Sequence, residues 1–166
     1  WRDIDLLLNG ENVELEVRVA GLFMLLYAQI LGRTVSMTRD RVDATGAHVT
    51  VRFGVTPVLL DDRVGDLIRR HLSAPPRRGY AAGESHWLFE GLSPGAHMTA
   101  AYIRLRLTEL GIRPRVSRET RMNLLSMRMP SAVVADVIGI GNTTASKRQG
   151  KSGGTWSGYP AVRVSP

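Results

Sequence analysis

Residues 13–29 constrain the fold more than any other segment. They run without a proline and carry Val13, Val17, Ala20, Leu22, Met24 and Leu25 at near-helical spacing. Around Phe23 the segment becomes apolar on every side, and a helix that is apolar all round has no face to offer solvent. Its C-terminal half is therefore expected to be buried. With 166 residues, 43 % of them hydrophobic, the chain is large enough to enclose such a helix in one real core and too short for two ordinary domains.

The flanking segments read as follows. Residues 32–38 form a second, short helical piece. The turn from Asp43 to Gly46 precedes a β-branched stretch at 48–53, and residues 54–57 turn into 58–60, which gives two or three short antiparallel strands. Asp61 and Asp62 cap a helix running to about Leu72, with Val64, Leu67, Ile68 and His71 on one face. Residues 73–85 are rich in Pro, Gly, Ala and Arg and read as a loop. After the apolar tripeptide 87–89, Thr99 caps a helix to Leu110, with Tyr102, Ile103, Leu105, Leu107 and Leu110 apolar and Gly111 as its stop. A helix over Ser117 and 121–129 is stopped by Pro130, and two short helices, 131–138 and 142–149, flank Gly139 and Gly141. Met122, Met127 and Met129 read as core packing, and His97 as a turn residue. The fold class expected is α+β, mainly α, with a small two- to three-stranded antiparallel sheet. Residues 1–150 form the domain, and 151–166 a glycine- and serine-rich C-terminal tail that belongs to it or docks loosely through Trp156 and Tyr159.

Composition excludes several chemistries. There is no cysteine, hence no disulfide, thiol nucleophile or common zinc-finger spacing. His48, His71, His86 and His97 are scattered, so neither a metal site nor a cofactor is expected. The apolar run 19–31 is too short for the roughly 20 residues of a membrane span. The chain begins at Trp1 without a methionine, as a piece of a longer protein would.

The net charge of +7 is almost all arginine, since Lys147 and Lys151 are the only lysines. A guanidinium binds two phosphate oxygens at once. A GC-rich genome also replaces lysine with arginine everywhere, so distribution is more informative than the total. Between residues 113 and 151 stand Arg113, Arg115, Arg118, Arg121, Arg128, Lys147, Arg148 and Lys151 against only Glu119 and Asp136. A basic C-terminal third reads first as a nucleic-acid face.

The ordered set of segments resembles the catalytic domain of tyrosine recombinases, the phage-integrase family, over roughly residues 13–150. Leu25, Leu26, Tyr27 and Ala28 resemble the helix leading to that family's first catalytic arginine, and residues 36–43 its approach to the sheet. Residues 133–139 are similar to its "V-x-x-L-L-G-H" box. The chain looks closest to a degenerate, mostly actinobacterial integrase-like branch, with "LLYAQ" and "GGxW" near its two ends. The resemblance implies a site in which two arginines and a lysine hold the scissile phosphate, histidine-type residues move protons, and a tyrosine attacks phosphorus.

Carried over residue by residue, that pattern is incomplete. Arg33 lies near the first arginine, with a spacing to Val42 about a turn shorter than the family's. No lysine occurs at 54–57. The "H-x-x-R" box falls on Arg115 and Arg118, with arginine in place of histidine. The second histidine position is Ile140, and the nucleophile position falls near Arg148 or Gln149. Tyr159 is the only tyrosine downstream and stands too far along. The resemblance thus implies a catalytically inactive, DNA-binding pseudo-recombinase with a regulatory or architectural role and no catalytic residues, Arg33, Arg118 and Tyr159 being vestigial candidates. The expected DNA contacts are Arg33, Arg115, Arg118, Arg121, Lys147, Arg148 and Lys151. The partners implied are double-stranded DNA, with a homo-oligomer or an active recombinase, in the cytoplasm and nucleoid-associated. Three alternatives stand beside it: a divergent active recombinase using Tyr159, a protein-interaction domain, and a helix-turn-helix regulator. In the last, Asn142, Thr143, Ser146, Lys147 and Gln149 would face the major groove, with Arg148 and Lys151 on phosphates.

Overall fold

The computed structural model describes residues 1–75 and 85–139. In chain order these form α1 (Arg2–Asn9), α2 (Leu15–Tyr27), α3 (Leu31–Val35), a single 3-10 turn (Arg39–Arg41), β1 (Val42–Asp43), β2 (Thr50–Val51), β3 (Val58–Leu59), α4 (Asp62–Ser73), α5 (Ala100–Glu109), α6 (Pro114–Arg128) and α7 (Ser131–Ile138). The architecture is mainly helical with a three-stranded antiparallel sheet in the order β1-β2-β3, as the residue pattern predicts.

Helix α2 is the hub, and α1, α3, α4, α5 and α6 all pack on it. Every residue from Val17 to Leu25 is buried, so burial extends a full turn earlier than the apolar pattern indicates. The reason is Arg18. Only 3 % exposed, it donates from Nε to the Leu7 carbonyl (2.7 Å) and from a second guanidinium nitrogen to that of Leu8. Those carbonyls end α1, an element for which the sequence reading made no prediction. A Cβ at Gly21 would lie 2.6 Å from Leu7 and 2.9 Å from Leu107, so α1 and α5 approach the α2 backbone directly.

The strands are shorter than predicted, two residues each, paired Val42 to Val51 and Thr50 to Leu59. Asp61 caps α4 by accepting from the Arg63 amide at 3.1 Å, and Val64, Leu67, Ile68 and His71 are buried as their spacing indicates. His71 donates from Nε2 to the Leu88 carbonyl at 2.7 Å, which ties residues 87–89 to α4; burial pulls its pKa below the ordinary value. Thr99 caps α5 through the Tyr102 amide. One expectation fails on helical phase: Met127 is exposed while Met122 is buried and Met129 half-buried; Leu105, 57 % exposed, likewise lies off the stripe made by Ile103 and Leu107. Helix α6 starts at Pro114, ahead of Ser117, since proline lacks an N–H that the first helical position would leave unpaired anyway. Gly139, at φ +71°, ends α7. The second helix expected at 142–149 and the tail 151–166 lie outside the described residues, as does most of the loop at 73–85.

The core divides in two. The main cluster joins α1 to α5 and the sheet. A small one holds Ala28, Met122, Val134 and Ile138, with Leu125 and Met129 against it, under α6 and α7. No helix among the described residues is long and apolar enough to cross a membrane.

Candidate nucleic-acid interface

The site is built on the corner after α2. Ala28 takes a left-handed conformation (φ 53°), a cost of about 1 kcal/mol for a residue with a Cβ. Its methyl is fully buried in the small cluster, which offsets that cost and explains an alanine where glycine is usual. The corner turns the chain into α3 and places Arg33 on its exposed side.

Arg33 lines a polar groove of about 320 Å³ together with Gln29, Ser36, Met37, Thr38, Arg41, Arg52 and Phe53. Three arginines and no carboxylate form its wall. Arg41 and Arg52 were not expected there from sequence. They are cross-strand neighbours: the register that pairs Val42 with Val51 puts them opposite each other, and the Arg52 amide donates to the Arg41 carbonyl at 2.9 Å. Like charges directly opposite on an antiparallel pair are unfavourable by a few tenths to about 1 kcal/mol unless a counter-ion intervenes. Asp40 supplies part of one from just outside the groove. Its carboxyl is held below the usual range by the Thr38 hydroxyl, with Arg41 and Arg52 adding to the effect. Arg52 also donates to the Asp40 carbonyl at 2.8 Å. The signal that would have found the pair was the hairpin register, which is not legible before the turn length is known.

The other expected contacts separate. Arg118 and Arg121 turn inward from α6, donating from Nε to the carbonyls of Ala28 (2.8 Å) and Leu26 (2.7 Å) at the C-terminal end of α2. There a cation meets the negative end of a helix dipole, so both fasten α6 to the core. Arg115 stays in solvent, 91 % exposed, beside Glu119 at 3.6 Å. Lys147, Arg148, Lys151, Tyr159 and the Ile140 position lie outside the described residues. Arg33 reaches across to α7, donating from Nη1 to the Gly139 carbonyl. Where the family resemblance calls for a lysine, on the turn between β2 and β3, the Val55 and Thr56 amides instead donate to Asp136 of α7 at 3.2 and 3.4 Å, and the Thr56 hydroxyl donates to its other oxygen.

A larger groove of about 500 Å³ between α1 and α4 is mostly apolar, with Arg2 and Arg63 offset by Asp5 and Asp61, so its charge selects no anion. Among the described residues no group of acidic and histidine side chains is placed to hold a metal.

No protein-family model matches the chain, and no curated protein matches it in sequence. Among solved structures it is similar to XerA recombinase, with a TM-score of 0.60 and 13 % identity, over 89 % of this chain and 56 % of that one. The chain therefore spans little more than half the length of that recombinase, and the likeness establishes the fold alone: this chain shares the fold of that recombinase over most of its own length.

Proposed function

We propose that this chain is a duplex-DNA-binding domain that keeps a tyrosine-recombinase fold without its power to cut. The observation that carries the reading is the groove of Arg33, Arg41 and Arg52: three guanidinium groups around one concavity, two of them forced together by strand register, on a fold shared with a recombinase. A phosphodiester is the anion such a groove suits, because each arginine can offer two parallel donors. The silent half of the reading rests on what stands at the carried-over positions. The β2–β3 turn has no lysine, Arg115 replaces a histidine, and neither Arg148 nor Gln149 can act as a nucleophile. Losing one proton-transfer group typically costs about 10²–10⁴ in rate, and here the nucleophile is gone as well. Membership of the degenerate actinobacterial branch, an architectural or regulatory role beside an active recombinase, and a nucleoid location follow from the same reading.

A salt titration with a labelled duplex tests the binding. Affinity should fall linearly on a log–log plot, and Arg41→Ala and Arg52→Ala should each weaken binding and flatten the slope by about 0.9. Affinity indifferent to salt would refute a phosphate-binding face. Covalent trapping on a suicide substrate tests the silence: no adduct is expected, and an adduct abolished by Tyr159→Phe would show an active recombinase instead.

A further inference from the structure

Helix α7 and the β2–β3 turn meet backbone to backbone. A Cβ built on Gly54 would stand 1.8 Å from the Asp136 carbonyl oxygen, and one on Gly139 2.5 Å from that of Phe53, so no side chain separates the two segments. Around this contact the Asp136 carboxylate accepts from the Val55 amide, the Thr56 amide and the Thr56 hydroxyl, joining positions some eighty residues apart in the chain. At the end of the same helix the Gly139 carbonyl accepts from Arg33, whose side chain also lines the arginine groove. Phe53, at the start of the turn, lines that groove too.

We propose that Asp136 is a positioning residue for the arginine groove: by fastening the β2–β3 turn to α7 it fixes the Gly139 carbonyl, and that carbonyl holds Arg33 in its working orientation. The inference rests on the DNA-binding reading above and adds to it a residue that touches no phosphate. A guanidinium with one nitrogen anchored on a fixed carbonyl keeps its remaining donors pre-oriented, so less side-chain freedom is lost when an anion arrives. The Thr56 hydroxyl, followed by the turn amides, holds the Asp136 carboxyl below its ordinary range, so the anchor is ionised at neutral pH.

The inference makes a prediction opposite in sign to simple electrostatics. Removing a carboxylate beside a polyanion site makes the protein more positive and should tighten DNA binding if charge alone matters. If Asp136 acts through Arg33, its removal weakens binding. The experiment takes the full chain with Asp136→Asn, Asp136→Ala, Thr56→Val, Arg33→Ala and the Asp136→Ala/Arg33→Ala double variant. Amide hydrogen exchange at Val55 and Thr56 is measured first, then affinity for a short fluorescent duplex at fixed salt. Asp136→Ala should lose protection at both amides and bind roughly five- to tenfold more weakly, within the usual range of coupling between sites, and Asp136→Asn, whose amide oxygen still accepts from both, should lose less of each. Thr56→Val should show a smaller loss of the same sign. The double variant should be no weaker than Arg33→Ala, because the two act as one unit. Unprotected turn amides with unchanged or tighter binding, or additive losses in the double variant, would overturn the inference while leaving DNA binding intact. Exchange unaffected in Asp136→Ala would overturn the clamp itself. A wild-type chain that fails to bind the duplex with salt dependence would bring down the DNA reading, and the inference with it.

Discussion

Arg18, Arg118 and Arg121 act alike, since each carries its guanidinium to carbonyls at the C-terminal end of a helix other than its own. Arg18 reaches α1, and the other two reach α2. Arg39 does the same for α4, through Leu72. A cation at that end answers both the unpaired carbonyls and the helix dipole. The arginine content of the chain is thus partly structural, and the residues that instead line the groove, Arg33, Arg41 and Arg52, are few and specific. Arg18→Met should lower the free energy of unfolding by about 2–3 kcal/mol, since hydrogen bonds to a charged donor are the stronger kind and two carbonyls lose theirs; urea denaturation measures it. Glu14 gives a pH-dependent counterpart. Burial pushes its pKa up, but donors from Tyr102 and Arg106 outweigh burial and leave it below the ordinary 4.5. A depressed folded-state pKa means that the unfolded chain binds more protons, so the contribution is complete above about pH 4.5 and is lost as pH falls through the depressed value. The stability difference between wild type and Glu14→Gln, followed by urea unfolding across pH, should therefore be present at pH 7 and close toward pH 3. A gap that widens in acid would contradict the assignment.

At the scale of elements, local signals worked where the reason for a helix is local. Asp61 and Thr99 were legible as caps and act as caps, and Gly111 and Gly139 end their helices at positive φ. They failed where a partner supplies the reason. Helix α1 exists because Arg18 closes its end and Leu7 enters the core, and neither fact is visible in residues 2–9 alone. Met127 was misplaced because an apolar residue one step out of phase is still apolar, and residue type alone does not reveal the phase. The contact between α7 and the β2–β3 turn has little tolerance for added atoms. Gly54→Ala puts a methyl into the Asp136 carbonyl, and Gly139→Ala adds the strain of a positive φ. In hydrogen exchange both variants should lose protection along α7 while α2 and α5 keep theirs. Equal loss throughout would show that α7 belongs to the central cooperative unit.

At the scale of the whole molecule, the two clusters imply two levels of stability. The main cluster surrounds α2 with four helices and a sheet, whereas among the described residues α6 and α7 share a smaller cluster, joined to the rest by α6 packing on α2, the Arg118 and Arg121 bonds and the Asp136 clamp. Regions with fewer buried apolar contacts open at lower free energy. Native-state exchange should accordingly show α6 and α7 opening together below the global unfolding free energy, and Arg121→Ala should lower that local step by about 1 kcal/mol. The sequence by itself determined the buried central helix, the small antiparallel sheet and the helix caps. Those depend on periodicity and on local hydrogen bonding. Only the tertiary structure decided where the arginine side chains reach. A guanidinium reaches several ångströms and bonds equally well to a helix end, a carboxylate or a phosphate, so its role is set by what the fold brings within that reach. The fold turned Arg118 and Arg121 into fastenings and made a groove of Arg33, Arg41 and Arg52.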